Sequence, residues 1–369
     1  MKIQMTDLRI QYESIKSEID FAIGNVIESS SFILGKDLAD FETRVADYLG
    51  VKYALGVGSG TDALVLSLEA LGIKDGDEVI TTPFTFIATA EAIVRVGARP
   101  VFVDIDEATY NIDPDKIEEK ITSRTKAIIP VHLYGLPCDM DKIMGMAEKH
   151  NLKVLEDCAQ SFGSEHKGRK AGSIGDCGAL SFFPAKTLGC FGDGGMVVTN
   201  NQEISERVRL LRNHGALKKY YYVSRGFNSR LDTIQAAVLK VKIKYIDKWI
   251  GDRIQNAMLY NKLLSNTDGV KTVFIPENSK HTFNYYNIRV LRNRDKVEQA
   301  LKDNEIAYAV YYPLCLHLQE VYKELGYRMG DFPVSEQAQK ETLALPMYPE
   351  LRKEEIEKIA SIVTGAIKK

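Results

Sequence analysis

The chain has 369 residues, with 48 Lys and Arg against 50 Asp and Glu, a formal net charge of −2 with the histidines neutral. That balance gives no general pull towards nucleic acid or an anionic membrane, and no apolar run reaches the roughly 18 residues that a membrane span needs. The start, Met1 to Asp7, lacks the apolar core of a signal peptide, and five cysteines (Cys138, Cys158, Cys177, Cys190, Cys315) without CxxC spacing argue against a zinc site or disulfide framework.

Buried free thiols in a reducing cytoplasm are therefore expected, and the length suggests one large domain with a smaller one. Tyr53–Val57 reads as a strand, Gly58 to Asp62 as a turn, and Ala63–Leu71 as a helix with Leu64, Leu68 and Leu71 on one face. Glu78–Thr82 is a strand closed by Pro83, and Thr89–Val96 a helix ended by Gly97. Further strands are predicted at Pro100–Val103, Lys126–Val131, Lys153–Leu155, Cys177–Phe183 and Met196–Thr199. Strands alternating with helices predict an α/β fold with a mostly parallel sheet covered by helices, and a ligand crevice at the strands' carboxyl ends. Helices are expected at Ile204–Asn213 and Thr233–Ile250. Beyond 250, a strand at Asn284–Leu291, a helix at Asp295–Asn304, a strand at Ile306–Tyr311 and a closing helix from Lys353 to Ile367 predict a small α+β unit. The expected division is 1–250 and 251–369.

Four local features carry chemistry. Gly58-Ser59-Gly60-Thr61-Asp62 lies between a strand and a helix, where backbone N–H groups and a hydroxyl can meet an anion; a tight turn capped by Thr61 or Asp62 is the alternative. Val154 to Ser161 runs a strand into Asp157, which could hold a cationic ring nitrogen or cap the next turn. Lys186 follows an apolar strand among small and Gly residues, surroundings that disfavour its ammonium form and suit Schiff-base chemistry, unless it is a solvated loop lysine. Gly226 to Asp232 enters a long helix, with Asn228 a possible turn residue and Arg230 a possible surface ion pair.

Together these resemble the nucleotide-sugar aminotransferases of the DegT group, within the aspartate aminotransferase superfamily. The matching runs are Ser-Gly-Thr-Asp-Ala-Leu at 59–64, Glu-Asp-Cys-Ala-Gln-Ser at 156–161, Ser-Phe-Phe-Pro-Ala-Lys at 181–186 and Gly-Phe-Asn-Ser-Arg-Leu at 226–231. The likeness extends from Leu34-Gly35 to Leu345-Pro346-Met347. It implies the fold type I architecture, a large domain with a seven-stranded-type sheet, and pyridoxal 5′-phosphate as cofactor. By position, Lys186 resembles the Schiff-base lysine and Asp157 the partner of the pyridine nitrogen. Gln160 matches the residue that bonds the ring's phenolic oxygen, and Phe86 the aromatic that stacks on the ring. Gly60, Thr61 and Ser181 resemble the phosphate cradle. Asn228 matches an asparagine lent by a neighbouring subunit, which implies a homodimer with shared sites.

The resemblance also implies L-glutamate as amino donor and a nucleotide-linked keto-sugar as acceptor, in amino-sugar synthesis for lipopolysaccharide or other surface glycans. Gly226 to Asp232 with Gln235 is more like the members that aminate C3, on UDP or dTDP carriers, than those acting on C4. Arg230 is the candidate for the nucleotide diphosphate. Where several C3 enzymes read His-Tyr-Pro, this chain has Tyr311-Tyr312-Pro313; Tyr312 and His317 are the candidates for the sugar contact. A sugar dehydratase would carry histidine in place of Lys186, and a desulfurase would need an exposed catalytic cysteine, for which only Cys190 is near. A non-catalytic sugar-binding or regulatory protein on the same fold would be expected to lose Lys186 or Asp157, and both are present.

Overall fold

Two helices that the sequence reading did not assign open the chain in this computed structural model, which describes residues 2–368. The helix α1 (Leu8–Ser29) starts at Asp7, whose carboxylate accepts the Arg9 and Ile10 N–H groups. The helix α2 (Lys36–Leu49) buries Leu38, Phe41, Val45 and Leu49, a three-and-four spacing that makes one apolar face. It stops at Gly50, in the left-handed conformation at φ 71°. Both helices share a core with residues of the helix Thr233–Lys242.

The main sheet has seven strands, β1 (Tyr53–Val57), β2 (Glu78–Thr81), β3 (Arg99–Phe102), β4 (Thr125–Ile128), β5 (Lys153–Asp157), β6 (Cys177–Ser181) and β7 (Gly195–Thr199). Their order is β1-β7-β6-β5-β4-β2-β3. Only β7 runs against its neighbours; the other six are parallel. Side chains alternate across the sheet. Leu155, Ala179 and Val197 join one core with the helix α3 (Gly60–Ala70) and the helix α4 (Ala88–Arg95). Val154 faces a second core, and Leu180, Met196 and Val198 face the core beneath α1 and α2. Strand ends differ from the sequence reading by up to three residues, the largest at β4, which stops at Ile128 rather than Val131.

The helix expected at Thr233–Ile250 is instead Thr233–Lys242, a single tight turn at Ile243–Tyr245, and Ile246–Leu264. This last helix crosses the division drawn at 250. Its Ile246, Trp249 and Ile250 pack in the large core, while Ala257, Tyr260 and Leu264 pack in the C-terminal core. Ile3 belongs to the C-terminal core as well, hydrogen-bonded to the 305–307 segment. Val270–Lys271, Tyr286–Val290 and Thr342–Leu345 form a three-stranded antiparallel sheet there, which shares one apolar core with Arg294–Asp303 and Lys353–Ile367. Ile306–Tyr311 is not a strand. It pairs with two different neighbours at single residues, Ile306 with Ile3 and Ala309 with Ala344, so no ladder propagates. No helix among the described residues is long and apolar enough to cross a membrane.

Candidate active site

The carboxyl ends of β5 and β6 lie side by side, with Asp157 opposite Ala179, two residues before Ser181. Against them stands the first turn of α3. Ser59 caps it, its hydroxyl accepting from the Asp62 N–H at 3.0 Å and its carbonyl from the Ala63 N–H. The first two N–H groups, of Gly60 and Thr61, have no acceptor within the helix. Gly60 is required by closeness: a Cβ there would lie 2.7 Å from the Ser181 Cβ. Gly195 serves the same turn from beneath, since its Cβ would come 2.2 Å from the Ser59 carbonyl oxygen. Within the Gly-rich stretch after Lys186, Gly195 thus packs against the backbone of this turn, while Gly192 and Gly194 pack against the side chains of Gln235 and Leu231.

Asp157 is 4% exposed. One oxygen accepts the Ala159 N–H at 3.1 Å, the local capping bond that the sequence allowed, and the other accepts the Thr89 hydroxyl at 2.8 Å. Burial pushes its pKa up, against the pull of Thr89, the Ala159 N–H and the charge of Lys186. Lys186 is half-buried; its N–H donates to the Phe183 carbonyl at 2.8 Å, and its ammonium makes no hydrogen bond or ion pair among the described residues. Burial pushes its pKa down to about 8, opposed by the charge of Asp157. The loop that carries it is held at three points. The Thr187 N–H donates to Asn284 Oδ1 at 3.1 Å, the Phe191 N–H to Gln235 Oε1 at 2.8 Å, and the buried Lys242 ammonium to the Gly189 carbonyl at 2.7 Å. Gln235, read from the sequence as a marker of the sugar carbon, is therefore engaged in holding this loop.

Gln160 accepts the Tyr134 N–H on Oε1 at 2.7 Å, which makes its Nε2 the donating end. That nitrogen donates to the Tyr312 hydroxyl at 2.9 Å, and the Tyr312 ring lies 6.3 Å from Phe86, which is 56% exposed. Beneath Asp157, Glu156 is fully buried and accepts from His132 Nε2 and from the Gly172, Ile174 and Gly175 N–H groups, all within 2.9 Å. Burial alone would raise its pKa; His132 and the amides outweigh it and hold the carboxyl below its ordinary value. His132, Glu156 and Cys158 offer atoms within 4.8 Å of one another, but His132 and Glu156 are already engaged, His132 Nδ1 by the Cys138 N–H. All five cysteines are buried and free. Burial lifts the Cys190 thiol to about 11, against the reactivity that a desulfurase needs.

Asn228 is exposed, next to buried Ser229. The Ser229 hydroxyl donates to Asp62 at 2.7 Å and accepts the Gly58 N–H at 3.0 Å, which fastens this segment to the first turn of α3. Arg230 donates to Asn213 Oδ1 at 2.9 Å. His317 is closed into the protein. Its side chain has no exposed surface, its Nε2 sits 3.1 Å from Glu336, and its ring packs edge-on against Phe332. Thr89, Tyr134, Ser229 and Asn284 were missed; only Thr85 and Thr89, two hydroxyls four residues apart, left a readable signal.

Residues 13–364 match the model of the DegT/DnrJ/EryC1/StrS aminotransferase family. The chain is 47% identical to the pleiotropic regulatory protein of Geobacillus stearothermophilus, over 98% of both chains. It is 45% identical to the UDP-N-acetyl-3-dehydro-α-D-glucosamine 3-aminotransferase of Acidithiobacillus ferrooxidans, covering 98% of this chain and 97% of that one. Among solved structures, DesV of S. venezuelae in complex with a ketimine intermediate superposes with a TM-score of 0.97 at 38% identity, covering 100% and 99% of the two chains.

Proposed function

The chain belongs to the DegT/DnrJ/EryC1/StrS aminotransferase family, and from that membership we propose that it moves an amino group from L-glutamate to a nucleotide-linked 3-keto sugar. The observation that carries the proposal is a buried carboxylate and a lysine of lowered pKa at adjoining strand ends, beside two free helix N–H groups.

Those residues fit pyridoxal 5′-phosphate. The Gly60 and Thr61 N–H groups and the Ser181 hydroxyl suit a phosphate, in a cradle that a Cβ at Gly60 would fill. Asp157 is a buried carboxylate with no ion-pair partner among the described residues, and it suits a protonated ring nitrogen. Gln160 offers a donor of fixed orientation to a ring oxygen, and Phe86 an apolar face. When bound, the cofactor supplies the electron sink for breaking the Cα–H bond of the donor. The chain supplies the proton carrier: burial that pushes Lys186 down to about 8 leaves a larger share of it unprotonated near neutral pH than an ordinary lysine has. Asp157 would hold the charge of the ring nitrogen, and Lys186 would take and return the proton.

A homodimer is part of the proposal. Asn228 is exposed, and nearby the two-stranded ribbon Ala216–Lys218 and Tyr221–Tyr222 presents Leu217, Tyr220, Tyr221, Tyr222 and Val223, each more than 60% exposed. Such a run of apolar side chains suits a second copy of the chain. Amination at C3 is supported by the 3-aminotransferase relative; C4 is the runner-up. A cytoplasmic role in amino-sugar synthesis for surface glycans follows from the same reading. A regulatory role, favoured by the name of one relative, is the second reading, although Lys186 and Asp157 are both retained.

One experiment separates these. The purified chain, supplied with pyridoxal 5′-phosphate, should show a visible band that borohydride abolishes, and then aminate a nucleotide 3-keto sugar with glutamate. NMR should place the new nitrogen on C3. Uptake of cofactor without turnover on any keto-sugar would favour the regulatory reading, and nitrogen on C4 would replace the carbon assignment.

A further inference from the structure

Asp157 stands at the end of a row of hydroxyls. Thr89 Oγ1 is 2.8 Å from Asp157 Oδ2, and Thr85 Oγ1 is 3.0 Å from Thr89 Oγ1. Both threonines are shut away from water, at 1% and 3% exposure. A carboxylate oxygen only accepts, so the single hydroxyl proton of Thr89 is committed to Asp157. Thr85 must then be the donor to Thr89. The row has one direction, Thr85 to Thr89 to Asp157, and each bond polarises the next. Its two hydroxyls sit four residues apart at the entry to α4, where the Thr89 N–H donates to the Phe86 carbonyl. The same short segment therefore presents Phe86 on its exposed side and grips Asp157 on its buried side.

We propose that Thr89, oriented by Thr85, is a positioning residue that fixes the Asp157 carboxylate as a charged acceptor for a cationic ring nitrogen. The proposal rests on the reading that pyridoxal 5′-phosphate binds at this site. Its physical basis is that a buried carboxylate with too few donors takes up a proton. Of the groups that oppose the upward push of burial on Asp157, the Thr89 hydroxyl is the largest. Without it, Oδ2 loses its donor, Thr85 loses its acceptor, and the carboxylate competes with the ring nitrogen for the proton that both need to share. Valine preserves the shape of threonine and removes the hydroxyl; serine does the reverse.

The test uses full-length wild-type protein, Thr89→Val, Thr89→Ser and Thr85→Val, each loaded with pyridoxal 5′-phosphate. Two readouts besides turnover are taken, the pH titration of the visible band and the cofactor dissociation constant. Thr89→Val should displace the titration midpoint and weaken cofactor binding by about tenfold, the scale of one hydrogen bond to a charged group. Thr89→Ser should follow the wild type, and Thr85→Val should move both readouts in the same direction as Thr89→Val, by less. A Thr89→Val protein with wild-type titration and affinity overturns the proposal. So does a serine variant as impaired as valine, which would make the methyl group the part that matters. Should Thr89→Val not fold, an unshifted titration in Thr85→Val overturns it equally. A wild-type chain that takes up no cofactor overturns the underlying reading and this one with it; normal uptake with an indifferent Thr89→Val overturns this one alone.

Discussion

Replacing Gly60 by alanine tests whether close approach of the α3 turn to Ser181 builds the phosphate cradle. The added Cβ would lie 2.7 Å from Ser181 Cβ and 3.1 Å from its Oγ. Carbon atoms rest at about 3.5–4.0 Å, so the turn must retreat by roughly 0.8 Å or more. The hydroxyl could swing away, but the Cβ cannot, because β6 is paired on both sides, to β5 and β7. Overpacking of this kind costs about 1–3 kcal/mol, which lowers the Tm by a few degrees in a protein of this size. The larger effect is expected in cofactor affinity, because the two free N–H groups move with the turn while Ser181 stays. Titration of the Gly60→Ala protein with pyridoxal 5′-phosphate, followed by the visible band, should show binding weakened by at least about tenfold, one lost hydrogen bond to a charged group. Gly60→Ala combined with Ser181→Gly removes the opposing Cβ and should restore the Tm, leaving Ser181 Cα at 3.3 Å as a nearby atom. Wild-type affinity in Gly60→Ala, or a double variant no more stable than the single one, would refute the reasoning.

Other predictions follow from the same geometry. Burial pushes Lys186 down to about 8, below the ordinary lysine value, so between these values this side chain holds more protons unfolded than folded and its own contribution to stability rises with pH. Lys242, also pushed down to about 8, adds a second rise, and the buried thiols, pushed up, oppose both, so the comparison is between two proteins: in urea unfolding of the cofactor-free chain across that window, Lys186→Met should lower the slope relative to wild type, and equal slopes would refute the shift. Asp157→Asn keeps the shape and loses the charge, so kcat in the glutamate half-reaction should fall by at least about a hundredfold with a smaller change in KM. Near-normal turnover would remove Asp157 from this role. Mixed Lys186→Ala and Asn228→Ala subunits should regain activity, because some heterodimers hold one complete site. No recovery after proven subunit exchange would refute a shared site.

Much of this protein was legible from local pattern. The strands β1 to β7 declared themselves by short apolar runs ending in turns, because a sheet covered on both faces needs side chains that are apolar on both. Local pattern marked Lys186, Asp157 and Gly60 as candidates but left each an alternative, a solvated lysine, a turn cap and a tight turn; their assignment came from the family resemblance. The helices α1 and α2 were missed although α2 has a clear apolar face, since they lie before the alternating pattern begins. Tertiary structure alone decided the partners. Thr89 reaches Asp157 across 68 residues, Tyr312 meets Gln160 across 152, and Ser229 fastens to Asp62 across 167. It also assigned Gln235 to the lysine loop and closed His317 against Glu336. The physical reason is that spacing along a chain reports which face of an element is apolar, whereas a hydrogen bond depends on which element ends become neighbours. That neighbourhood is set by the sheet order, in which β5 and β6 adjoin while β1 is separated from β2 by four other strands.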